Sequence, residues 1–160
     1  MRRDSAGRRW GRAALAALAC ALLSGAGLSG CADVVDTELG LDADIDAARV
    51  STMGSTVSVE LDVTYRVGPF AEGERMFQPQ GIELYADDAL VATLSPMAPP
   101  GFQARVAPGE AFTATFPASG DVSDGAAVCA GALRVLFRWL DTTTMEIGMT
   151  DAIVPDPTCE

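Results

Sequence analysis

Over residues 56–68, apolar and polar side chains alternate without a break. Val57, Val59, Leu61, Val63, Tyr65 and Val67 are set against Ser58, Glu60, Asp62, Thr64 and Arg66. Successive side chains of an extended strand point to opposite faces, so this run places one face on a core and the other in water. A helix would spread the same apolar residues round its circumference. A second alternating pattern occupies 81–95, where Ile82, Leu84 and Ala86 precede Asp87-Asp88 and Leu90, Ala92 and Leu94 follow it. Two short strands joined by turn-forming acids predict a hairpin.

Further strands are expected at 102–106, 111–116, 127–140 and 143–149, separated by clusters such as Pro99-Pro100-Gly101 and Pro108-Gly109. In the third of these, Leu133, Val135, Phe137 and Trp139 alternate with Arg134, Leu136 and Arg138, and Cys129 shares the inward parity. A disulfide from Cys129 would then pin the tail to a central strand. No segment after Cys31 has a convincing helical period. Seven or eight short antiparallel strands punctuated by turns predict an all-β sandwich or small barrel over 45–160. The hairpin at 81–95 resembles that of bacterial immunoglobulin-like domains, in which a strand ending in an aromatic and an Asp-Gly turn leads into a short apolar strand. Here Asp88 stands in place of the glycine. The resemblance implies an immunoglobulin-like β-sandwich.

The amino-terminal pattern is of another kind. Residues 1–12 hold five arginines against Asp4, and residues 13–23 contain no polar side chain other than Cys20. A basic start followed by a short apolar run is the order of a secretory signal, and about 20 residues would be needed to span a bilayer. The run then breaks at Gly25, Gly27 and Gly30 and reaches Leu28-Ser29-Gly30-Cys31. These four residues resemble a bacterial lipobox. That resemblance implies cleavage before Cys31, diacylglyceryl transfer to its thiol and a permanent anchor, with 1–30 removed. Several acyl chains at about 0.8 kcal/mol per buried methylene make release negligible. An ordinary cleaved signal and an uncleaved anchor helix are the competing readings. Ala32, rather than an acid, follows the cysteine, which in enteric-type sorting implies the outer membrane.

Residues 32–44 are acidic and free of aromatics, and 31–44 is expected to be a flexible tether. Asp42, Asp44 and Asp46 have part of the spacing of a calcium loop, but Ala47 and Met53 stand where such a loop needs its glycine and its last acid.

Composition then removes whole classes of chemistry. The chain has no Lys, His or Asn. Without imidazole it has no Ser-His-Asp triad, Cys-His pair or histidine-containing zinc site, and without Lys no Schiff-base chemistry. Five of the 11 basic residues and one of the 22 acids fall in 1–30, leaving six arginines against 21 acids and a net charge of −15. Such a surface repels nucleic acid, which is excluded as a partner. With Cys20 in the signal and Cys31 assigned to lipid, Cys129 and Cys159 are left to form one disulfide or to stay as two free thiols.

Three features bear on function. The connection at 68–80 carries Phe70, Met76 and Phe77, which form a candidate binding loop if exposed and an end plug if folded inward. The turn at 120–125 offers Asp121 and Asp124, too few oxygens for calcium without help from other loops. Pairs of carboxylates raise the idea of acid–base hydrolysis, which needs two held in a cleft with one pKa raised. The expectation is a lipid-anchored envelope domain that acts by contact with an envelope protein or a glycan, with no catalysis, cofactor or metal. A small carboxylate hydrolase and a purely structural subunit are the alternatives.

Overall fold

The computed structural model describes residues 40–159 other than Ser123. The signal segment, Cys31 and the tether up to residue 39 lie outside the described residues. Among the described residues, nine strands and one short helix follow in chain order: β1 (Leu41–Met53), β2 (Thr56–Val67), β3 (Arg75–Ala86), β4 (Ala89–Leu94), β5 (Arg105–Val106), β6 (Ala111–Asp121), α1 (Gly125–Cys129), β7 (Leu133–Asp141), β8 (Glu146–Val154) and β9 (Thr158–Cys159). One sheet has the order β6-β2-β1-β9. The other runs β4-β3-β7-β8, with β5 also paired to β3. The fold is a β-sandwich, one of the two closed forms that the alternation allows. The strands not expected are β1, whose start reads as tether, and β9, two residues long and too short to leave a pattern.

Strand β2 behaves as its sequence dictates. Val57, Val59, Leu61, Val63, Tyr65 and Val67 are all buried, in one core with Ile82 and Leu84 of β3 and Leu133, Val135, Phe137 and Trp139 of β7. The β3–β4 hairpin turns on Asp87 and Asp88 with φ of 46° and 64°. Both are left-handed, the signature of the tight type I′ turn, so the missing glycine does not prevent it; Asp tolerates this region better than most side chains. Pairing slips between Leu84↔Ala92 and Tyr85↔Leu90. That bulge turns Leu90 out to solvent, against its expected inward parity.

Four other expectations need correcting. The tether does not extend to Asp44, because β1 begins at Leu41 and pairs with β2 from Leu41↔Val67 onward. Leu41 and Ala43 already supply an inward apolar phase, and the acids beside them point outward. The expected strand at 102–106 shrinks to Arg105–Val106. The segment 127–132 is not strand: Asp124 caps α1, its Oδ1 accepting from the Ala127 N–H at 3.2 Å. Val128 is the side chain that α1 buries. Finally, 68–80 is not one loop, since β3 starts at Arg75 and takes Met76 and Phe77 into the sheet.

The disulfide joins Cys129 to Cys159. It does not pin the tail to a central strand, because Cys129 ends α1 and Cys159 lies in β9. That strand runs parallel to the end of β1 through Ser51↔Thr158 and Thr52↔Cys159. Gly125 fits here because a Cβ would meet the Gly54 carbonyl at 2.6 Å.

Candidate contact face

The two outward sheet faces differ in chemistry. On β1 and β2 the outer positions form a polar ladder. Arg66 reaches Asp42 at 2.9 Å and Asp44 at 2.7 Å. Thr64 bridges Asp46 and Thr113, and Arg49 and Thr115 both hold Asp62, at 3.0 and 2.6 Å. The Thr115 hydroxyl and, after it, Arg49 keep the Asp62 carboxyl below its ordinary range. The acids at 42, 44 and 46 are therefore strand residues paired across a sheet.

The outward face of β8 carries exposed large apolar side chains, beside Arg134, Leu136, Arg138 and Leu140 on β7. Among the described residues nine large apolar side chains are exposed, and four of them, Met145, Ile147, Met149 and Ile153, belong to β8 or the turn before it. All four are between 60% and 71% exposed. Register places Leu140 beside Ile147, Arg138 beside Met149, Leu136 beside Asp151 and Arg134 beside Ile153. The large side chains of β8 face water while Gly148, Thr150 and Ala152 take the other phase. The cause is Trp139: a Cβ on Gly148 would fall inside its indole ring. A bulky residue on β7 thus demands a small one opposite on β8, and period 2 then sends Ile147 and Met149 outward.

Beside this stripe lies a polar cluster on β3 and β7. Tyr85 donates to Glu83 at 2.6 Å, Arg138 donates to the same carboxylate at 3.2 Å, and the Arg134 guanidinium sits 4.8 Å from the centre of the Tyr85 ring. The Tyr85 hydroxyl, then Arg138, hold Glu83 below the usual carboxylate range. The same hydrogen bond to Glu83 raises Tyr85. A carboxylate with a depressed folded pKa contributes stability above its unfolded pKa and loses it as pH falls through the folded value. The melting temperature of the wild type should therefore exceed that of Glu83→Gln at neutral pH, and the gap should narrow as the pH falls below the ordinary glutamate range and close only below the depressed folded value. A gap that stays constant on acidification would refute this linkage.

A hollow of about 220 Å³ opens on this face, lined by Gln80, Gly81, Glu83, Thr93, Arg138 and Ile147. It exists because Gly81 has no side chain where the β3–β7 pairing slips between Pro79 and Gly81.

The expected binding loop is not assembled as one patch. Phe77 is buried in the core at 1% exposure, Phe70 is 67% exposed at the tip of the 68–74 connection, and Met76 is partly exposed on β3. Of the two readings, plug and patch, Phe77 takes the first and Phe70 the second. Asp141 is the one buried carboxylate among the described residues; its Oδ1 accepts from the Thr143 N–H at 2.8 Å, and Arg75 stands 3.9 Å from its Oδ2. Asp124 is the cap of α1.

No protein-family model, no curated protein and no solved structure matches this chain.

Proposed function

We propose that the chain is exported, lipidated at Cys31, and acts as an envelope domain that works by contact through the outward face of β7 and β8. The observation that carries this reading is the inverted phase of β8, whose large apolar side chains face water. Four large apolar side chains exposed along one strand and its turn are more than the scattered single residues of an ordinary surface. The lipid anchor is read from Leu28-Ser29-Gly30-Cys31. Ala32 after the cysteine favours the outer membrane.

An immunoglobulin-like ancestry is part of the same reading. It is supported by the path of the chain, in which β6-β2-β1 and β4-β3-β7-β8 follow the strand order E-B-A and C′-C-F-G of such sandwiches.

The anchor and the contact are tested separately. Cys31→Ala should move the protein from the membrane fraction to the soluble fraction and abolish the acyl mass increment. Unchanged partitioning and mass would sink the anchor. Crosslinking on intact cells should capture a partner with wild type and lose it with Ile153→Asp, at unchanged melting temperature; equal capture by both would sink the contact face.

A further inference from the structure

We propose that the end of the sandwich beside the β7–β8 turn binds a neutral polyhydroxyl ligand, a sugar, in a hollow separate from the outward face of β8. The hollow measures about 510 Å³, and its lining includes Gly40, Arg75, Trp139, Thr144, Glu146 and Gly148. Small-molecule sites run from roughly 300 to 1,000 Å³. The strand pattern brings these side chains together. Arg75 opens β3 two residues before the buried Phe77, so period 2 turns it toward the same inner side. Trp139 is inward on β7, and the Cζ2–Cε2 edge of its indole occupies the place of a side chain at Gly148.

Unpartnered polar atoms gather at this end. Among the described residues six buried side-chain nitrogens and oxygens have no hydrogen-bond partner, and three of them are Arg75 Nε, Trp139 Nε1 and Asp141 Oδ2. Folded chains pair roughly 90% or more of such groups, because one left alone costs about 1 to 3 kcal/mol. The ion pair does not serve, since Arg75 stands 3.9 Å from Asp141 Oδ2, beyond hydrogen-bond distance. Trp139 is 6% exposed, and its N–H is bonded to the ring edge that lies over Gly148 in the wall of the hollow. A ligand with oxygen atoms completes this wall.

Charge and hydrogen-bonding capacity select the ligand. Arg75 and the Trp139 N–H can only donate, so a cation offers them nothing. Glu146 at the rim and Asp141 behind Arg75 carry carboxylates, which accept and which repel an anion brought up to the arginine. The carboxylate of a zwitterion meets the same obstacle, an arginine that already has its buried counter-charge. A hydroxyl both donates and accepts, and several on one ring serve both sets without adding charge. Glu146 is positioned for this, because the Thr144 hydroxyl donates to its Oε2 at 2.9 Å and fixes the carboxylate at the rim.

The chain has two tryptophans, Trp10 and Trp139. In a nitrogen-15 spectrum of the full chain, the indole N–H signal that Trp139→Phe removes is therefore the reporter of the hollow. Glucose, galactose and N-acetylglucosamine are titrated into the millimolar range, beside acetate and glycine. At least one sugar should shift this signal saturably. Glu146→Ala, at an exposed position, should weaken that sugar about tenfold with an unchanged melting temperature. Saturation by glycine or acetate and by no sugar overturns the ligand class. No shift with any solute, the N–H being bonded to water alone, overturns the site. Full affinity in Glu146→Ala overturns the placement of the sugar at this rim.

Discussion

Phe77→Ala should destabilise the domain by about 3 to 5 kcal/mol, the range for removing a large aromatic side chain from a packed core. Phe77 lies at the centre of the aromatic cluster. Its ring stacks on Tyr65 with centroids 4.4 Å apart and planes 9° from parallel, and it also contacts Phe102, Phe116, Phe137 and Trp139 at 5.8 to 6.2 Å. Tyr65 and Phe116 belong to one sheet, Phe77, Phe137 and Trp139 to the other, so the ring ties the two layers together. The neighbours cannot collapse freely into the space left behind. Tyr65 is held by its hydroxyl donating to the Gln103 carbonyl at 2.9 Å, and the Phe77 N–H donates to the Ala104 carbonyl at 2.8 Å. Urea unfolding of the two proteins measures the difference. Phe70→Ala is the control, and should change stability by no more than about 0.5 kcal/mol because its ring is in water. A loss below about 1.5 kcal/mol for Phe77→Ala would mean that the cluster repacks, contrary to its geometry.

The contrast between Phe70 and Phe77 shows where sequence reading stops. Both stand in a stretch without clear period, and nothing local separates them; the difference comes from β3 starting at Arg75. Where a strand alternates strongly polar with strongly apolar residues, as β2 does, period and phase are both legible, because only one phase buries the apolar set. β1 hides the same alternation behind small residues and acids: Leu41 and Ala43 carry little hydrophobic signal beside Asp42, Asp44 and Asp46, and acidic composition suggests a tether. β8 is the reverse case. Ile147 and Met149 alternate with Gly148 and Thr150, which reads as a strand with the large residues inside. The phase is set by Trp139 on the neighbouring strand, so it is tertiary information. A sequence signal for the exposed apolar stripe does exist in the alternation of bulky with very small residues on β8, opposite a tryptophan of inward parity. The short helix has a signal as well, in Asp124 three residues before Ala127, but the shared parity of Cys129 with Leu133 points the other way. The pairing of Cys129 with Cys159 is one of the two outcomes that counting cysteines leaves open, the other being two free thiols.

Replacing Cys129 and Cys159 together by serine should cost about 3 to 4 kcal/mol, the loop-closure entropy of a bridge spanning 30 residues. The bond also holds local structure that little else supports. Beyond Val154 the chain is held to the first sheet by a strand of only two residues, Thr158–Cys159, both exposed. On the other side of the bond is a helix of five residues, too short to persist alone, whose buried contribution is Val128. Neither partner holds the other without the covalent link. Loss of stability should therefore come with local opening: amide exchange should accelerate first in α1, in β9 and at the Ser51 and Thr52 end of β1, while β2, β3 and β7 keep their protection. Reduction of the wild type should reproduce the serine variant. A difference below about 1 kcal/mol, or exchange that accelerates equally in β2 and β9, would show that α1 and β9 are held by packing alone.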